Sequence, residues 1–138
     1  MDRALWVFLG GGVGSVLRYT LGLLVGAWTP SNAETPHWLA MYPVATLAAN
    51  LIGCGLIGVA WGLMDPGNEA HQPMRLLLIV GVLGGFTTFS SFGWETLSLL
   101  QTQRVGTAAA YVLISVLVGL FAAWGGYVAA QAVASGGN

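Results

Sequence analysis

Lysine is absent from this 138-residue chain, and its four arginines and five carboxylates make up only 7 % of it. Soluble domains carry about 25 % charged residues, so the chain lacks the polar surface that meets water and must meet lipid instead. A formal net charge of −1, with no cluster of basic residues, leaves no footprint for a nucleic-acid partner. Cysteine occurs once, at Cys54, which excludes an internal disulfide. No CxxC or Cys/His spacing suggests a structural metal. His37 and His71 stand alone in polar stretches without the further ligands zinc needs, and are expected as solvated loop histidines. There is no Ser/His/Asp set and no carboxylate pair, so no catalytic constellation and no enzyme is expected.

What the chain does have is apolar length. Hydrophobic residues make up 56 % of it. A membrane helix needs about 20 apolar residues to cross a hydrocarbon core about 30 Å thick. Four stretches qualify, at about 4–28, 42–64, 74–100 and 105–130. They predict an all-α integral membrane protein, one domain over 1–138. The first run continues to Trp28 and has equals after it, so it reads as a span and not as a secretory leader. Turn formers fill the connections at 29–37 and 65–73. The third connection, Gln101-Thr102-Gln103-Arg104, is a tight hairpin, and the tail from Ser135 to Asn138 is expected to be disordered. Trp6, Trp28, Trp38, Tyr42 and Trp61 fall near span ends, where amphipathic rings prefer the headgroup level.

Orientation in a membrane follows the Lys/Arg imbalance between its two sides. Arg3 and Arg75 fall on one side, Arg104 and Arg18 on or toward the other. Two against two is no bias, and it predicts dual topology, with both orientations made from one sequence. A fixed orientation set by other features is the alternative. Glycines at GxxxG spacing (Gly10 and Gly14, Gly22 and Gly26, Gly58 and Gly62, Gly81 and Gly85) predict close helix packing. The run from Gly10 to Gly14 follows no strand and lacks the GK[ST] of a phosphate loop, so it is not a nucleotide site.

Polar residues deep in a span are costly and usually face a bundle interior or a pathway. Thr46 and Asn50 share one face of the second span, and Tyr111 and Ser115 one face of the fourth. Each pair either lines a pore or holds helices together through hydrogen bonds. The third span reads Gly81-Val82-Leu83-Gly84-Gly85-Phe86-Thr87-Thr88-Phe89-Ser90-Ser91-Phe92-Gly93-Trp94-Glu95. A glycine pair followed by hydroxyl and β-branched residues is poor helix sequence, and predicts a helix broken in mid-membrane. Carbonyls freed at such a break are ready ligands for a cation such as sodium. Phe89 and Phe92, three apart, share a face beside the break. Glu95 has no partner in the membrane that the sequence makes visible.

Three runs carry a family resemblance: Gly-Gly-Phe-Thr-Thr-Phe-Ser-Ser-Phe at 84–92, Gly-Gly-Val-Gly-Ser-Val-Leu-Arg-Tyr at 11–19, and Pro-Val-Ala-Thr-Leu-Ala-Ala-Asn-Leu-Ile-Gly at 43–53. Together the chain resembles the Fluc/CrcB family of bacterial fluoride channels along essentially its whole length. The third-span run is the specific one. The resemblance implies an antiparallel homodimer in a bacterial cytoplasmic (inner) membrane, with two fluoride pores at its interface, passively exporting fluoride and conferring fluoride resistance. It places Asn50, Phe89 and Phe92 at the anion, Tyr111 and Ser115 on a polar track, and Thr46 and Glu95 near the pathway. Arg18 matches the arginine of the first-span run. The resemblance also implies a central sodium ion on the main-chain carbonyls of Gly84 and Thr87. Ala45 and Ser15 depart from the usual residues, and Gly119 has no hydroxyl where some members extend the track. A four-span drug/proton antiporter is the alternative, but it needs a carboxylate on the first span.

Overall fold

The computed structural model describes residues 3–28, 37–64 and 67–136. The connection at 29–36, Asp65 and Pro66, the first and last two residues and the side chains of residues 37–42 lie outside the described part. The expectations for the side chains of His37, Trp38 and Tyr42 fall there. Four helical passages are long and apolar enough to cross a membrane. The first is α1 (Arg3–Trp28) and the second α2 (His37–Leu63). The third begins with a short 3₁₀ turn (Glu69–His71) and α3 (Gln72–Arg75). It continues through a π-helical segment (Leu76–Leu83) into α4 (Gly84–Phe86), and resumes as α5 (Phe89–Gln101). The fourth is α6 (Val105–Gly136). At 1.5 Å per residue the 26 residues of α1 suffice for a hydrocarbon core.

Glycine decides which helices touch. A methyl group on Gly10 would collide with the Leu77 carbonyl, and one on Gly14 with the Val82 carbonyl. Gly81 and Gly85 present the same absence of bulk toward Gly10 and Gly11. Residue numbers rise together on both sides, so α1 and the first half of the third passage lie parallel with backbones in contact. A second crossing of this kind joins α2 to α6, where Gly58 faces the Ala123 carbonyl and Gly62 faces Tyr127 and Ala130. Without a hydrophobic force between helices in lipid, such close approach is how dispersion contacts accumulate. Gly22 meets nothing within 4 Å, so it marks no close helix approach within the subunit.

Large apolar side chains point outward along every passage, among them Phe8, Tyr19, Phe121 and Val133. In water that surface would be untenable, and in lipid it is the solvent-facing surface. The interior is thin: Leu99, Ala108 and Tyr111 form a buried cluster with Leu47 and Phe92 against it. Two expectations change. Helix α6 runs through Ser135 and Gly136, where a disordered tail was expected, because nothing in its alanine-rich end stops a helix. His71 is half-buried with its Nδ1 shielded, not solvated, because it sits in the 3₁₀ turn that leads into the third passage.

Candidate functional site

The break expected in the third passage falls at Thr87 and Thr88, whose backbones are extended (ψ 157° and 121°) between α4 and α5. The π-helical winding just before it was not foreseen, and an apolar Leu/Ile/Val run contains no signal for it. Such segments are uncommon and concentrate at functional sites. The hydroxyls of the break largely serve its own geometry. Thr88 caps α5, its Oγ1 accepting from the Ser91 N–H at 3.2 Å, and Thr87 Oγ1 donates back to the Leu83 carbonyl at 2.8 Å.

Asn50 closes the break from the neighbouring helix. Its Oδ1 accepts from the Thr88 N–H at 2.9 Å, and its Nδ2 donates to the Thr88 carbonyl at 3.1 Å. The amide thus replaces the backbone acceptor that an unbroken helix would have offered the Thr88 N–H, and adds a second donor to a carbonyl that, at the N-cap, already starts α5. One Nδ2 hydrogen is left over, since the group has two donors. The pore-lining and helix-joining alternatives for Asn50 are therefore not exclusive.

A cavity of about 360 Å³ opens beside this clamp. Asn50 and Cys54 from α2, Gly84, Thr87 and Thr88 from the break, Phe89 and Phe92 from α5 and Ser115 from α6 all line it. The Ser115 Oγ is buried yet has no hydrogen-bond partner among the described residues. Phe89 is 83 % exposed within the subunit, so its ring is not held there by packing. It stands 5.5 Å from Phe92, centroid to centroid, and Phe92 stands 5.2 Å from Tyr111, the two pairs tilted at 42° and 47°.

Behind Phe92 lies a second polar group. Glu95 is 5 % exposed and accepts two hydrogen bonds, from Thr46 Oγ1 at 2.7 Å and from Tyr111 OH at 2.6 Å. Each carboxylate oxygen has one donor, and three helices are tied together. Glu95 therefore does have partners in the membrane. They come from other helices and were invisible in its own sequence neighbourhood. The structure thus divides the expected residues into two sets. Asn50, Phe89, Phe92 and Ser115 face the cavity, while Thr46, Glu95 and Tyr111 form the buried clamp and do not line it. Thr88 and Cys54 are polar residues of the cavity that reading the sequence assigned to no site.

The break also changes the backbone partners around Gly84 and Thr87. The Thr88 N–H, which a continuous helix would give to Gly84, goes to Asn50, and the Ser91 N–H, which would serve Thr87, goes to Thr88 Oγ1. Among the described residues no three His, Cys, Asp or Glu cluster to hold a metal.

Residues 5–127 match the family described as CrcB-like protein, Camphor Resistance (CrcB). The chain is 42 % identical over 127 residues to the fluoride-specific ion channel FluC of Methylobacillus flagellatus, covering 92 % of this chain and 93 % of that one. It is 46 % identical to the FluC of a Thermus thermophilus strain, over 92 % and 94 % of the two chains. To the FluC of Flavobacterium psychrophilum it is 36 % identical, over 95 % and 98 %. With four membrane-crossing helices and a family match along nearly all its length, this chain is a multi-pass membrane protein of the CrcB family.

Proposed function

We propose that this protein is a fluoride-selective channel of the bacterial inner membrane, and that the cavity beside the Thr87–Thr88 break is part of its anion path. One observation carries the reading: donors without fixed charge, on Asn50 and Ser115, converge with two phenyl rings on one cavity at a helix break. The function for which its relatives are named, fluoride-specific conduction, supports it.

Fluoride is small and strongly hydrated, and a fixed positive charge at the binding point would hold it too long and admit chloride too. Amide and hydroxyl donors avoid this. They favour the halide that accepts hydrogen bonds best. The edge of a phenyl ring carries the positive side of its quadrupole, so Phe89 and Phe92, turned edge-on, add weak donors of the right sign. The Thr46–Glu95–Tyr111 clamp fixes Phe92 from behind by holding the Tyr111 ring against which it packs. It is a positioning device and not a contact for the ion.

One subunit of four passages is too small to enclose a pore, and Phe89 is left bare on its surface. A second copy, inserted in the opposite orientation, would cover that face and build two pores at the interface. Gly84 and Thr87 from two copies would offer four neutral oxygens, a set suited to sodium. When bound, the ion would supply positive potential at a distance and join the two breaks. Transport is passive: a negative-inside potential drives an anion outward by about 2.3 kcal/mol per 100 mV.

An antiporter needs a titratable carboxylate on its first passage, and α1 contains no Asp or Glu. The test is efflux from proteoliposomes followed with a fluoride electrode, with chloride efflux as the control. Rapid fluoride release without matching chloride release is expected. No release, or release only in exchange for protons and an organic cation, overturns the reading.

A further inference from the structure

Cys54 is the one cysteine of the chain, and it lies on the cavity. It follows Asn50 by four residues on α2, so the two side chains stand one above the other on one helix face. Across from it, α6 carries Ser115 and, four residues on, Gly119. A Cβ built on Gly119 would stand 3.4 Å from the Cys54 Sγ. The thiol therefore occupies the level at which α6 has run out of side chain. A second observation marks this stretch of wall as built for a ligand: the Ser115 Oγ, one turn before Gly119, is buried and has no partner among the described residues. A buried hydroxyl without a partner is costly unless something visits it.

We infer that Cys54 lines the anion passage. Its thiol continues the polar wall from Asn50 and takes, from α2, the place left vacant on α6 at Gly119. The inference rests on the channel reading above. A thiol is a weak donor with a large soft sulfur, so at this point it both narrows the passage and offers a hydrogen to a passing anion.

Because the wild-type protein has a single thiol, it is its own reporter. Methyl methanethiosulfonate converts Cys54 S–H to S–S–CH3, with methanesulfinate and the thiol proton leaving. In wild-type proteoliposomes the adduct, followed by intact mass, is expected to cut fluoride efflux at least roughly tenfold. Millimolar fluoride should slow its formation, and dithiothreitol should restore efflux. Cys54→Ala should lose all response to the reagent, relative to its own starting rate. In a second arm, Cys54→Ala lowers efflux roughly three- to tenfold, the loss of one hydrogen bond. Adding Gly119→Ser returns a hydroxyl from the opposite helix and recovers at least half of the loss. The inference is overturned if no adduct forms, if the adduct leaves efflux unchanged, or if fluoride does not slow its formation. An unimpaired Cys54→Ala, or a double variant no better than the single one, overturns it too. The reagent arm needs no variant to fold. Wild-type protein that passes no fluoride before treatment would instead refute the channel reading, so the two failures are separate.

Discussion

Asn50 shows how one side chain answers two demands. In a membrane interior the backbone N–H freed at Thr88 needs a partner, because an unsatisfied one is costly there. Asn50 accepts from it, donates to the Thr88 carbonyl and keeps one N–H for the cavity. Asn50→Asp preserves size and the acceptor for the Thr88 N–H, but sets a carboxyl oxygen against the Thr88 carbonyl. Fluoride efflux is expected to fall by orders of magnitude, and the purified protein to lose about 1–3 kcal/mol of stability. Efflux and thermal unfolding on the same preparation check both. The two phenylalanines separate what Asn50 combines. Phe89 is bare in the subunit while Phe92 packs on the Leu99–Ala108–Tyr111 cluster. Phe89→Leu should therefore depress efflux with little change in the unfolding of the subunit. Phe92→Leu should depress efflux and cost about 1 kcal/mol as well. If Phe89→Leu conducts normally, its ring has no electrostatic role.

Among the elements, the third passage departs most from a simple helix, and its break, unlike the π segment before it, has a local cause. The extended pair Thr87–Thr88 and the Thr88 cap fall in a run of glycine, aromatic and hydroxyl residues. The passage ends in a turn with its own strain. Gln103 has φ 58°, the left-handed region, and the Arg104 N–H returns to Leu99 while the Gln103 N–H returns to Leu100. This is the Schellman arrangement, whose left-handed position favours glycine. A side chain there costs about 1–2 kcal/mol, partly offset by the freedom glycine brings to the unfolded chain. Gln103→Gly is expected to stabilise the protein by about 0.5–1 kcal/mol with efflux unchanged. Thermal unfolding in detergent reads the first part, and a destabilised variant would mean that the Gln103 side chain has a role of its own.

For the assembled protein, the even distribution of Arg3, Arg75, Arg18 and Arg104 and the bare face around Phe89 both support the proposed pair of opposed subunits. Reporter tags on both termini in intact cells should each be found on both sides of the membrane. Labelling confined to one side defeats dual topology. The sodium site makes a different demand. Its proposed ligands are main-chain oxygens, so Thr87→Ser, which keeps the backbone and the bond to Leu83, should conduct nearly as wild type. Replacing sodium by N-methylglucamine throughout purification should lower fluoride efflux and weaken the dimer on gel filtration. Full activity and an intact dimer after such exchange would remove sodium from the account.

The lipid setting, the number of passages and the position of the break were legible in the residues, because each depends on local composition. Twenty apolar residues suffice for a span, and Gly-Gly-Phe-Thr-Thr cannot continue a helix comfortably wherever it stands. For Asn50, Phe89, Phe92 and Ser115, helical spacing alone left pore lining and helix packing both open, since it selected Thr46 and Tyr111 equally, and the family resemblance supplied the assignment. Which polar groups meet was not legible. Glu95 looked solitary because its donors, Thr46 and Tyr111, lie 49 and 16 residues away. Asn50 was ambiguous because its partner is a backbone amide, which every residue possesses and no side-chain pattern marks. The thiol of Cys54 gained its place only when α2 and α6 closed on each other at Gly58 and Gly62. Local sequence sets what a segment can be, whereas the meeting of two polar groups depends on the register between helices, and that register is fixed by glycine contacts made across the whole bundle.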